Sequence, residues 1–132
     1  MTKDKFSFED LEVYQKALDF AVAVIDIIDQ LDTPRKHYRL IEQLEGSCTS
    51  VASNIAEGKG RFSKKEFKQY LYIARGSLYE TVARLQILNR KNWLEGRAYS
   101  NLYSAAAEIN RMLSSLIKLI RTSKTSRLSR EL

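Results

Sequence analysis

The 132-residue sequence holds one cysteine, one proline, one histidine and five glycines. With Cys48 alone, no internal disulfide is possible, and on an apolar helical stripe its thiol reads as a small hydrophobe. With His37 alone, neither a two-histidine metal site nor a histidine pair can form. So few breakers favour long helices over a strand-and-turn fold. No uninterrupted apolar run is long enough for a membrane span: the longest helical pattern, in residues 11–31, is broken by Asp19, Asp26 and Asp29. The opening MTKDKFSFEDLE carries four acidic residues and no apolar core, unlike a secretory leader. A cytoplasmic protein without membrane attachment is expected.

What is present is apolar periodicity. Hydrophobic residues make up 44% of the chain, enough for a core without staples. Helix 1 is expected over residues 9–31, with Ser7 and Asp10 at capping-box spacing. Val13, Ala17, Phe20, Val24, Ile27 and Leu31 form one stripe; Leu11, Tyr14, Leu18, Ala21, Ile25 and Ile28 form a second beside it. Together they cover roughly 220° of the helix, against about 100° for an ordinary surface helix. Such a helix is either the most enclosed one of a monomer or part of a subunit interface.

Thr33 and Pro34 read as the N-cap and first turn of helix 2, which runs to Glu57 on a stripe of Leu40, Leu44, Cys48, Val51 and Ile55. Its other faces carry Gly46, Ser47, Thr49, Ser50, Ser53 and Ala56, small enough for close approach of another helix. Gly58 and Gly60 are expected to end it in the left-handed turn glycine favours. Ser63 and Glu66 form a capping box for helix 3, with Phe67, Leu71, Ala74, Leu78, Thr81/Val82, Leu85 and Leu88 inward. Gly76, in mid-helix, suggests a close crossing. Helix 3 should fray near residues 89–92, and Trp93 and Leu94 should plug the core. Helix 4 spans residues 97–121, with Tyr99, Leu102, Ala106, Ile109, Leu113, Leu116/Ile117 and Ile120 inward. The expected architecture is all-α: one domain, residues 1–121, folded as an antiparallel up-down-up-down four-helix bundle, with a basic flexible tail at 122–132.

Charge is uneven. Residues 1–58 carry six Lys and Arg against eleven Asp and Glu, a net of −5; residues 59–91 carry nine against two, a net of +7. The tail from residue 118 adds +4. That distribution suits a polyanion partner, charge-guided assembly, or simply a solvated lysine-rich surface.

Enzymatic candidates are thin. Exposed His37 has no partner type, Glu57 and Glu66 flank a loop, and Gly58-Lys59-Gly60-Arg61 lacks Walker spacing and a preceding strand. No catalytic residue, metal or cofactor is expected. Lys59, Arg61, Lys64 and Lys65 instead crowd the start of helix 3, where the N–H groups and helix dipole favour an anion. A turn with solvated lysines, or an Arg61–Glu57 pair, fits the same residues. Lys68, Tyr72, Arg75 and Tyr79, spaced by four, three and four, form a basic and aromatic strip off the core stripe. Tyrosine and arginine planes stack on unpaired bases while the charges engage phosphates. The same composition suits a protein interface, or tyrosines merely lying over the bundle.

The run Asn54-Ile55-Ala56-Glu57-Gly58, then Gly60-Arg61, Ser63-Lys64-Lys65-Glu66-Phe67, Tyr70-Leu71, Ile73-Ala74-Arg75-Gly76-Ser77-Leu78 and Glu80, resembles the bacterial four-helix bundle family of proteins encoded by intervening sequences in 23S ribosomal RNA genes. So do Phe8-Glu9-Asp10-Leu11-Glu12-Val13-Tyr14-Gln15-Lys16-Ala17, Tyr38-Arg39-Leu40 and Gln43-Leu44. The likeness spans about residues 6–120. It implies a homopentamer of four-helix protomers and a relation to accessory proteins of diversity-generating retroelements, which bind a reverse transcriptase and nucleic acid through basic surfaces. It leaves the biological role open. The motif positions Asn54, Glu57, Gly58, Gly60, Glu66, Gly76 and Glu80, with Arg61, also suit a structural tie between helices 2 and 3. Leu31-Asp32-Thr33-Pro34-Arg35-Lys36 and Glu45-Gly46 depart from the family pattern. The expected function is non-enzymatic binding of RNA or DNA by a homo-oligomer. The alternatives are a protein-interaction adaptor, such as a reverse transcriptase accessory subunit, and an orphan structural bundle.

Overall fold

A computed structural model describes residues 4–31 and 37–122. Four helices follow a single 3-10 turn at Ser7–Asp10: α1 (Glu12–Gln30), α2 (Tyr38–Lys59), α3 (Lys64–Arg90) and α4 (Gly96–Thr122). Each packs on its chain neighbours and α1 closes the ring on α4, so this is an all-α four-helix bundle. At about 1.5 Å per residue, α3 and α4 run roughly 40 Å and α1 roughly 28 Å. Thr33, Pro34 and the basic tail after Thr122 lie outside the described residues.

The periodic stripes become the core. Val13, Ala17, Phe20 and Val24 meet Leu44, Cys48, Val51 and Ile55 from α2, Leu71, Leu78 and Leu85 from α3, and Leu102, Ile109, Leu113 and Ile117 from α4. Leu94 is buried and Trp93 packs beside it at one end of the bundle. There the His37 ring lies 4.9 Å from that of Trp93, so His37 is half-buried rather than exposed.

Four local expectations are corrected. Ser7 and Asp10 do not cap α1. Asp10 is taken by Lys5 at 2.7 Å, and the hydrogen bond holds that ammonium above its ordinary pKa. The Phe6 N–H instead donates to Glu9 Oε2 at 2.9 Å, and Phe8 packs edge-on against Tyr14, so α1 begins only at Glu12. Gly58 lies inside the last turn of α2, and Gly60 closes the helix with φ −81°, not left-handed. Gly76 is exposed, with nothing within 4 Å of where a Cβ would stand, so it marks no crossing within the chain. α3 does not fray at residues 89–92 but stops sharply. Asn92 takes φ 61°, while the Trp93 N–H donates to the Leu88 carbonyl and the Asn92 N–H to that of Asn89. Asparagine here does what glycine does in a Schellman ending.

The close crossing expected from the small residues of α2 exists, but it faces α3 through Ser47 and Ser50. Thr81 and Ser47 hydroxyls are hydrogen-bonded at 2.9 Å, and those of Ser77 and Ser50 at 3.0 Å. Serine and threonine let the two backbones come near while satisfying each other's polar groups, which an apolar seam of the same width could not do with larger side chains.

Candidate nucleic-acid interface

Two of the expected features lie in succession along α3, one at its start and one over its first half. The first is the turn from α2 into α3. Ser63 caps α3: its Oγ accepts from the Glu66 N–H at 3.2 Å, and it donates to Glu66 Oε1 at 3.1 Å. The cap therefore occupies one of the N–H groups an anion would use and places a carboxylate beside the helix start. Arg61 does not point to an outside ligand either. It donates to Glu57 Oε2 at 2.5 Å and to the Tyr70 hydroxyl, and its guanidinium lies 4.7 Å from the Tyr70 ring centre. The Tyr70 hydroxyl donates in turn to Glu57 at 3.1 Å. The hydrogen bond to Glu57 raises the Arg61 pKa above its ordinary value. Lys65 is exposed, while Lys59 and Lys64 are half-buried. Of the four basic residues at this turn, Arg61 thus belongs to the corner between the helices, and Lys65 stands exposed.

The remaining motif residues also act within the bundle. Asn54 Nδ2 donates to the Ser50 carbonyl and to Ser50 Oγ, both at 2.8 Å, and is linked to α3 through the Ser50–Ser77 contact. Glu80 pairs with Arg84 at 3.6 Å, and Arg84 reaches the Gln43 carbonyl of α2 at 3.4 Å. Gly58 is needed for proximity: a Cβ there would stand 2.5 Å from the Tyr70 Cβ and 3.1 Å from the Phe67 ring. Tyr70 is the residue sequence spacing did not single out, because its partners Glu57 and Arg61 lie on the preceding helix end. Its place in the distinctive run was the only signal.

The second feature is the strip Lys68, Tyr72, Arg75 and Tyr79. Spacing of four, three and four puts all four on one side of α3, as expected. Tyr72 and Tyr79 are exposed; Lys68 and Arg75 are half-buried. The Arg75 guanidinium lies 5.0 Å from the Tyr72 ring centre and donates to Ser114 Oγ of α4 at 3.2 Å. The strip therefore lies along the seam between α3 and α4. An arginine lying over a tyrosine ring, its guanidinium able to offer a fork of N–H donors, suits phosphate or a base edge. Among the described residues no cluster of His, Cys, Asp or Glu could hold a metal, and no helix is long and apolar enough to cross a membrane.

The fold and its seams define a small all-α bundle whose distinctive sequence run fastens α2 to α3. A model of the 23S rRNA-intervening sequence protein family matches residues 9–115. The chain belongs to that family. A crystal structure of a protein of unknown function from the S23 ribosomal protein family of Bacteroides thetaiotaomicron is similar, with 31% identity and a TM-score of 0.75. The alignment covers 80% of this chain and 95% of that one. No curated protein matches the chain.

Proposed function

We propose that the chain is a non-enzymatic, homo-oligomeric protein that binds RNA or DNA through the basic and aromatic side of α3 and the turn before it. The observation that carries this reading is the strip itself: Lys68, Tyr72, Arg75 and Tyr79 share one side of a helix whose other side is core, with exposed Lys65 one turn upstream. Residues 59–91 carry a net +7. The family takes its name from sequences intervening in 23S rRNA, a nucleic-acid setting. Recognition is mainly electrostatic, so affinity falls steeply with salt.

Self-association is supported by the outward face of α1. Leu18 and Val22 are exposed, the latter by 57%, and Leu11, Tyr14, Ile25 and Ile28 remain half-covered by their own chain. Subunits in a ring of five would cover that surface. Light scattering of the wild type and of Leu18→Glu with Val22→Glu tests it: the mass drops to one protomer in the variant, and a monomeric wild type refutes the assembly.

The binding reading is tested with a structured RNA and a DNA duplex at 50 and 200 mM salt. Replacing Lys59, Lys65 and Lys68 together with alanine weakens binding and flattens the salt dependence by about 0.9 per lost duplex phosphate contact in log–log slope. Unchanged affinity removes these lysines from the interface. Exposed Phe62 and Ile73 favour a second reading, an adaptor for a protein such as a reverse transcriptase. In that case the purified chain alone shifts neither nucleic acid.

A further inference from the structure

Beside the strip, the seam between α3 and α4 opens into a groove of about 280 Å³. Clefts for drug-sized ligands run from about 300 to 1,000 Å³, so this one matches a single ring system. Val82 and Ala106 line its floor, and Tyr79 from α3 and Tyr103 from α4 both line it while staying 56% and 49% exposed. Two planar amides, Gln86 and Asn110, complete it. Asn110 Oδ1 is buried with no hydrogen-bond partner among the described residues, although nearly all buried acceptors in folded proteins have one. Rotation about χ2 exchanges Oδ1 and Nδ2, so this amide can turn either its acceptor or its donor towards a group arriving in the groove.

Resting on the nucleic-acid reading above, we propose that this groove takes one unpaired base of a single-stranded RNA or DNA segment. The ring lies against both Tyr79 and Tyr103, and an amino or ring N–H on its Watson–Crick edge donates to Asn110. Arg75 fits the adjoining phosphate. It sits one helical turn before Tyr79, and its Ser114 partner sits one turn after Asn110, so the cation stands at one end of the groove. A base suits the groove better than an apolar side chain because two tyrosines and two amides line it. A purely apolar occupant would cover those amides without offering either a hydrogen bond. The strip of α3 then acts as the rail for the backbone, and the groove selects strands whose bases are free.

The test uses full-length protein with twelve-nucleotide single strands carrying one 2-aminopurine, and with the matching duplex, at equal salt. The expected result is quenching of the 2-aminopurine emission and single-strand binding at least tenfold tighter than duplex binding. Tyr79→Ala and Tyr103→Ala, both at exposed positions, each weaken the single strand about tenfold without changing its salt slope, as loss of one stacking partner should. Tyr79→Phe restores binding. Asn110→Leu, checked for helix content by circular dichroism, weakens the strand and evens out preferences among the four bases. If single strand and duplex bind equally and the tyrosine variants change nothing, the groove takes no base, while nucleic-acid binding by the lysines stands. If neither nucleic acid binds at low salt, the functional reading fails together with this one.

Discussion

Gly58 on α2 faces Tyr70 on α3 so closely that a Cβ added at position 58 would lie 2.5 Å from the tyrosine Cβ. Alanine is the better helix former by about 1 kcal/mol, yet here its methyl has nowhere to go. Gly58→Ala is expected to destabilise the protein by about 1–3 kcal/mol through overpacking. Gly76→Ala provides the contrast. That position is open, so the substitution stabilises the protomer by about 0.5–1 kcal/mol. Urea unfolding of both variants checks the pair, and equal signs would contradict the close contact.

Thr81 and Ser47 form a buried polar contact at the α2–α3 crossing. Thr81→Val keeps the shape and removes one partner, at an expected cost of about 1–2 kcal/mol. Combining it with Ser47→Ala removes both groups, and the double variant should recover part of that loss. A double-mutant cycle measures the coupling.

Burial pushes the Cys48 thiol up to about 11, with Glu45 adding to the effect. Its value in the unfolded chain is near 8.5. The folded state therefore holds its proton where the unfolded state has released it. The stability this contributes is intact below about pH 8.5 and is lost as the pH climbs towards 11, by on the order of 3 kcal/mol. Wild type should lose more stability than Cys48→Ala between pH 8 and 10.5. Native protein should also resist a thiol reagent until it unfolds, because the sulfur is fully covered.

Asn92 holds a left-handed conformation at the end of α3. Asn92→Ala should cost about 1 kcal/mol, since alanine lacks the local hydrogen-bonding that eases asparagine into that region. Asn92→Gly should be neutral or slightly stabilising. Thermal melts of the two variants distinguish them.

Much of the bundle was legible because its signal is repeated. Each inward stripe contains five to seven residues at helical spacing, so single exceptions such as half-buried Leu40 do not blur it. Ser63 and Glu66 were equally readable, since both ends of that cap lie three residues apart. Glycine was misread in two directions. Gly76 looked like a crossing and is open, whereas Gly58 looked like a terminator and is the true point of contact. A glycine in a helix reports only that a Cβ is dispensable or forbidden, and the neighbour that decides which is not local.

The candidate site divides the same way. The 4-3-4 spacing placed Lys68, Tyr72, Arg75 and Tyr79 together because helix geometry alone determines it. The Arg61–Glu57 pairing was visible at i, i+4, but Tyr70 lies thirteen residues from Glu57 and emerged only with the fold. Tyr103, Asn110 and Ser114 come from α4, and no spacing on one helix reveals what a second helix lays beside it.

The clamp of Arg61 between Glu57 and Tyr70 bears on how function should be traced among related chains. The stretch that makes this sequence recognisable spends its most distinctive cation on holding a corner shut. Sharing that stretch therefore transmits a shape. In the proposed function, whether two relatives grip the same molecule is a matter for the outward residues of the third and fourth helices, away from that corner.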